Sequence, residues 1–120
     1  MGIAFSRSTA HWSYSGFDRF RQRLSLAIGV DRDAANDAIR DGGMAAWNKV
    51  WDAVHDPIKD LLLHSDCDGE LTPEQCAVIA PRLRQLVAAW PAHDMDKREA
   101  LLLARGMDTC RKRGENLEFL

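Results

Sequence analysis

His64-Ser65-Asp66-Cys67-Asp68-Gly69-Glu70-Leu71-Thr72-Pro73-Glu74-Gln75 joins two helical parts of the chain. Its second half is a helix start. Thr72 supplies a side-chain acceptor, Pro73 suits the first helical position, and Gln75 is placed to reach back to the Thr72 N–H. Cys76, Ile79, Leu83, Leu86 and Trp90 follow at helical spacing, so the chain after Thr72 reads as one amphipathic helix ended by Pro91. Pro81 falls inside that stripe and predicts a kink or a short break. Upstream, Asp56-Pro57 reads as a cap and first turn, with Ile58, Leu61 and Leu62 facing a core. The stretch is therefore a loop, His64 to Leu71, held between two helices.

Working outward, the chain keeps the same period. Toward the C-terminus, Asp94 or Asp96 opens a long helix whose buried face carries Ala100, Leu103, Ala104, Met107 and Cys110. Gly114 is placed to terminate it. Toward the N-terminus, Met44, Trp47, Trp51 and Val54 form one stripe, and Phe17, Phe20, Leu24 and Ile28 another. Ser15, with Asp18 three residues on, is the expected cap of the first long helix, and Gly29 its end. Between these stripes Val30 to Gly43 reads as a weak helix followed by a flexible joint. The tail Leu117-Glu118-Phe119-Leu120 alternates as a short strand does, and Ile3 to Phe5 is its expected partner, which would join the termini. The fold class that follows is mainly all-α: a single helical domain over residues 1–120, built as a compact bundle of about five helices.

Composition agrees with such a bundle. The 120 residues are 46% apolar and 28% charged, with a formal net charge of −2. That is enough apolar material to offset the entropy of ordering, which argues against disorder. The balance of charge gives no general attraction to nucleic acid. Arg19 and Arg23 would share a helix face, and Arg111-Lys112-Arg113 falls where cations complement a helix C-terminus, so neither group needs a phosphate partner. No apolar run reaches the ~18 residues that would span a bilayer, so no membrane partner is expected. The three cysteines, an odd number, and the lack of a basic region followed by an apolar run point to a cytoplasmic protein.

The opening stretch resembles the calcium loop of an EF-hand, with residues 56–90 covering its helix–loop–helix. In that resemblance Asp66 and Asp68 take the third and fifth ligand places, Gly69 is the turn glycine, Glu70 offers its carbonyl, and Leu71 packs between the helices. Two positions depart from it. His64 stands first, where a carboxylate belongs, and Gln75 stands last, in place of the bidentate Glu. His64, Asp66, Asp68 and Glu70 are the candidate metal residues, and calcium is the implied ion. Zinc is a weaker alternative, since His64 and Cys67 make one tight pair while Cys76, His93 and Cys110 are scattered. The loop also has an ion-free reading. Asp66 and Asp68 suit Asx turns, Gly69 supplies a positive φ, and Thr72 and Gln75 are accounted for by capping.

No glycine-rich phosphate cradle, G-x-S-x-G elbow or H-E-x-x-H helix is present, so no catalytic residue is assigned. A cysteine or histidine enzyme built on Cys67 or His64 remains as an alternative, although Cys67 between two aspartates has an unfavourable setting for a thiolate. The stretches Trp12 to Phe17, His64 to Gly69 and Leu117 to Phe119 also resemble small uncharacterised proteins of actinobacteria and their phages, a resemblance that implies bacterial context and no mechanism. The leading expectation is a small non-enzymatic binding or regulatory protein acting through a protein partner. Trp12 and Tyr14, on a polar segment before the first long helix, are the expected exposed anchor. The alternative is a metal-responsive module centred on residues 64–75.

Overall fold

The computed structural model describes residues 2–66 and 68–120. The chain opens with strands β1 (Ile3–Phe5) and β2 (Ser8–Trp12), then helices α1 (Tyr14–Ala27), α2 (Arg32–Asp37), α3 (Ile39–Asp52) and α4 (Lys59–Leu63). Strand β3 (Glu70–Leu71), helices α5 (Pro73–Val87) and α6 (Met95–Arg113), and strand β4 (Leu117–Glu118) complete it. The protein is mainly α, as its periodicity predicts.

The pairing of α5 with α6 is the most extensive in the fold, and β2 lies against α6. The faces that meet are the ones the apolar spacing picks out. Cys76, Ile79 and Leu83 on α5, and Ala100, Leu103, Ala104, Met107 and Cys110 on α6, are all fully buried. Phe17, Phe20 and Leu24 of α1 are buried in the same core. Full burial of side chains of this size stabilises by about 1.5–3 kcal/mol each.

Helix ends follow local chemistry. The Thr72–Gln75 capping box is complete: Thr72 N donates to Gln75 Oε1 at 2.8 Å and Gln75 N to Thr72 Oγ1 at 3.1 Å. Asp94 caps α6 by accepting from Lys97 N, and Gly114 closes it with φ +65°. Asp56 accepts from Ile58 N at 3.0 Å, but regular helix begins only at Lys59, two residues later than Pro57 suggests.

Several expectations change. The cap of α1 is Ser13, which accepts from Gly16 N at 2.9 Å, and not Ser15. Strand β2 runs to the buried Trp12, so the chain turns immediately after it; Asp18 instead pairs with Arg32. The Val30–Gly43 segment holds α2 and the first turn of α3, and the break is backbone geometry at Gly43, at φ +63° and ψ −162°. Helix α5 continues through Pro81 as one element. Pro81 lies on the exposed side, where the proline ring leaves the core packing undisturbed.

The termini do meet, by a different ladder from the one expected. The tail β4 pairs antiparallel with β3, Glu70 opposite Glu118 and Leu71 opposite Leu117. Its far edge touches β1 through a single bridge between Phe5 and Phe119, with Ser6 N donating to Glu118 O at 3.1 Å and Leu120 N to Ala4 O at 2.9 Å. Strand β1 takes β2 as its main partner. The tail thus ties the loop before α5 to the N-terminal hairpin.

Candidate functional site

Helix α4 ends at Leu63, and His64 follows in extended conformation. That geometry turns the imidazole back over the loop. The ring stacks on Phe119 with centroids 3.9 Å apart and planes 17° from parallel. Nδ1 lies 2.8 Å from the Ser65 carbonyl oxygen and Nε2 lies 3.0 Å from the Glu70 carbonyl oxygen. Gly69, at φ +88°, makes the turn beneath the ring, and a Cβ there would sit 3.1 Å from His64 Cε1. The Gly69 carbonyl accepts from Phe119 N at 2.9 Å, so the tail strand holds the turn from outside.

From inside the bundle, Arg21 Nη1 donates to the His64 carbonyl. Arg21 is only 4% exposed, and its guanidinium lies 4.6 Å from the centroid of the Phe17 ring. Burial, with Arg32 nearby, pulls its pKa down from 12.5 to about 10, while the charge of Asp66 opposes the shift. It therefore remains a cation at neutral pH. Its Nε is buried without a partner among the described residues.

The other candidate ligands are arranged less convergently. Asp66 is half-buried, while Asp68 and Glu70 are exposed. Gln75 is drawn into the capping box and donates its amide to Asp60 Oδ2 at 3.2 Å. Among the described residues no three His, Cys, Asp or Glu side chains form a group able to hold a metal. Cys67, part of both the zinc and the nucleophile readings, lies outside the described residues. Cys76 and Cys110 are buried free thiols, and burial, reinforced by Cys110, pushes the Cys76 thiol up to about 12. Such thiols are poor ligands and poor nucleophiles. The carboxylates next to His55 and His93 are engaged elsewhere, Asp56 with Arg82 and Asp94 with Arg23.

The fit of calcium fails at both ends of the loop. A hard dication wants oxygen in the first place and a bidentate carboxylate in the last. Here the first side chain offers nitrogen and is bonded to the carbonyl that would serve as a ligand, and the last is the capping-box partner of Thr72.

At the second candidate site, burial corrects the role of Trp12. It is 5% exposed, stacks on Phe20 with centroids 4.6 Å apart, and donates Nε1 to Asp96 Oδ1 at 3.1 Å. It is core, not an exposed anchor. Tyr14, at 41%, is exposed as expected.

An edge of Trp12 nevertheless reaches a cleft of about 390 Å³ between the start of α1 and the start of α6. Met95, 68% exposed, stands on one side, and Gly16, His11, Arg98 and Glu99 complete most of the wall. The wall is fixed by its own bonds. His11 N donates to Glu99 Oε1 at 3.0 Å, and Arg23 holds Asp96 and Asp94 together while lying 3.7 Å from the Trp90 ring centroid. The Arg98 side chain is 72% exposed and pairs loosely with Glu99, at 4.0 Å. Sequence reading missed Met95 and Arg98, since a lone Met and a lone Arg in a helix's first turn carry no pattern.

Two other hollows are polar, one beside Arg7, Glu70, Glu115 and Glu118 and one beside Thr9, Arg105 and Thr109. Among the described residues no helix is long and apolar enough to cross a membrane. Compared with protein-family models, curated proteins and solved structures, the chain matches none of them.

Proposed function

We propose that this is a small non-enzymatic binding protein that acts through a protein partner, and that the partner docks at the cleft between Trp12 and Met95. One observation carries the reading. Met95 is an unbranched, adaptable apolar side chain, 68% exposed, beside a cleft floored by a locked tryptophan. Methionine suits surfaces that accept varied apolar groups. The cleft, about 390 Å³, has room for an apolar side chain together with its neighbours, and an anchor in a preformed pocket is where interface energy concentrates.

The rim narrows the partner further. Asp96 and Glu99 are engaged by Arg23, Trp12 and the His11 backbone, while Arg98, paired with Glu99 at 4.0 Å and with its side chain 72% exposed, turns its charge to solvent. The favoured partner segment therefore carries an apolar anchor beside an Asp or Glu. Selection of peptides from a random library against the immobilised protein tests this. Enriched peptides should pair an apolar anchor with an acidic neighbour. Met95→Glu should weaken them at least tenfold, and Arg98→Glu should weaken the acidic ones selectively. Enriched peptides indifferent to both substitutions, or no enrichment, would overturn the proposal.

A further inference from the structure

The geometry points to a hand that closes without a cation: in the 64–75 loop, the His64 imidazole and the Arg21 guanidinium do from within the chain what a bound ion does in the EF-hand the loop resembles. A loop of that kind needs something at its centre that draws the first residue, the turn and the seventh-place carbonyl together. Here the first residue does so itself. The His64 ring reaches across the loop to the Glu70 carbonyl, 3.0 Å from Nε2, and to the Ser65 carbonyl, 2.8 Å from Nδ1. Carbonyl oxygens only accept, so every such bond comes from a ring N–H; the neutral ring satisfies one and the doubly protonated ring both.

The position is also shaped for a ring. Phe119 covers one face at stacking distance, and Gly69 leaves room where a Cβ would press on Cε1 at 3.1 Å. An aspartate in the first place would neither stack nor span the loop.

Arg21 supplies the second half. Its guanidinium holds the His64 carbonyl and exerts its charge on Asp66. The backbone of the first place is thereby tied to the bundle from inside the chain. Gln75 completes the exclusion, since it serves the capping box and not a ligand place. The loop thereby becomes a permanent connector between α4, α5 and the C-terminal strand.

Calcium titration of the whole protein, read by melting temperature and calorimetry, tests it. The natural chain should melt at the same temperature in EDTA and in millimolar calcium. His64→Asp combined with Gln75→Glu restores the two missing oxygen ligands. That variant should melt lower than the natural chain in EDTA and recover several degrees in calcium. A natural chain that gains several degrees in calcium, and loses the gain on Asp66→Asn, would overturn the inference. So would a folded double variant that ignores calcium. Should the double variant not fold, NMR of the labelled natural chain decides instead. A scalar coupling across the bond from His64 Nε2 to the Glu70 carbonyl is the expected result, and a His64 ring without that bond is the contrary one.

Discussion

Gly106 is where a general rule about residues and the local geometry disagree. It sits in the middle of α6 and is buried. By intrinsic preference, Gly→Ala in a helix interior stabilises by about 1 kcal/mol. A Cβ at Gly106, however, would lie 2.6 Å from Ser8 Cβ and 2.7 Å from the Arg7 carbonyl oxygen. The second contact is backbone, and it cannot rotate away. The Ser8 hydroxyl already anchors that turn by donating to the Leu102 carbonyl at 2.8 Å, one helical turn below. Overpacking against such a contact costs roughly 1–3 kcal/mol, so Gly106→Ala should lower stability, against its propensity, by about 1 kcal/mol. Urea unfolding checks the sign. An unchanged or raised midpoint would mean that the hairpin is free to move off α6. The glycine could not have been recognised in advance, because the atoms that require it lie at the other end of the chain.

At the scale of elements, helix α5 sets its own prediction. Pro81 has no N–H to give the Ala77 carbonyl, and a helix-interior proline costs about 3 kcal/mol relative to alanine. The helix still runs unbroken from Pro73 to Val87, held by the burial of Cys76, Ile79, Ala80 and Leu83 on its inner face. Pro81→Ala should restore that bond without touching the core. Greater freedom in the unfolded chain offsets about 0.4–1 kcal/mol of the gain, which leaves a stabilisation of about 2 kcal/mol, measurable as a raised thermal midpoint. The same helix marks what was legible. Its cap, its first proline and its buried face were all readable, because capping and periodicity are local. The α1 cap was misplaced by two residues, since Ser13 and Ser15 offer the same acceptor and only the burial of Trp12 chooses between them. Strand β2 was not read at all, although Ala10 and Trp12 alternate with polar neighbours, because five residues in a serine-rich stretch give too short a pattern. In the loop, the departures at His64 and Gln75 were plain. What they build was not, since Arg21 and Phe119 come from distant parts of the sequence.

Across the whole molecule, ion pairs between segments far apart in sequence give stability a definite dependence on acid. Arg23 of α1 grips Asp94, the cap of α6, through two guanidinium nitrogens at 3.1 and 2.9 Å and reaches Asp96 at 2.8 Å. Arg82 of α5 holds Asp56, ahead of α4, at 2.8 Å. The Arg23 hydrogen bond, aided by the Lys97 N–H, keeps the Asp94 carboxyl below its ordinary value. For Asp56, partial burial pushes upward, but bonds from Arg82 and the Ile58 N–H outweigh it and the net shift is downward. A carboxylate with a depressed pKa in the folded state releases its proton more readily there than in the unfolded chain, where the value is about 3.9. Its contribution is therefore complete above that value and is lost as pH falls through the lower, folded one. The urea midpoint should accordingly stay level from neutral pH to about 5 and then fall steeply below about 4. Asp94→Asn with Asp56→Asn should lower the midpoint at neutral pH and flatten the acid limb, because the unfolded state then gains fewer protons relative to the folded one. The two substitutions should add almost independently, since Arg23 and Arg82 share no partner. An acid limb as steep in the double variant as in the natural chain would place the proton-linked stability in other carboxylates, with Asp31, whose pKa is lowered chiefly by the Ala34 N–H, the first to examine.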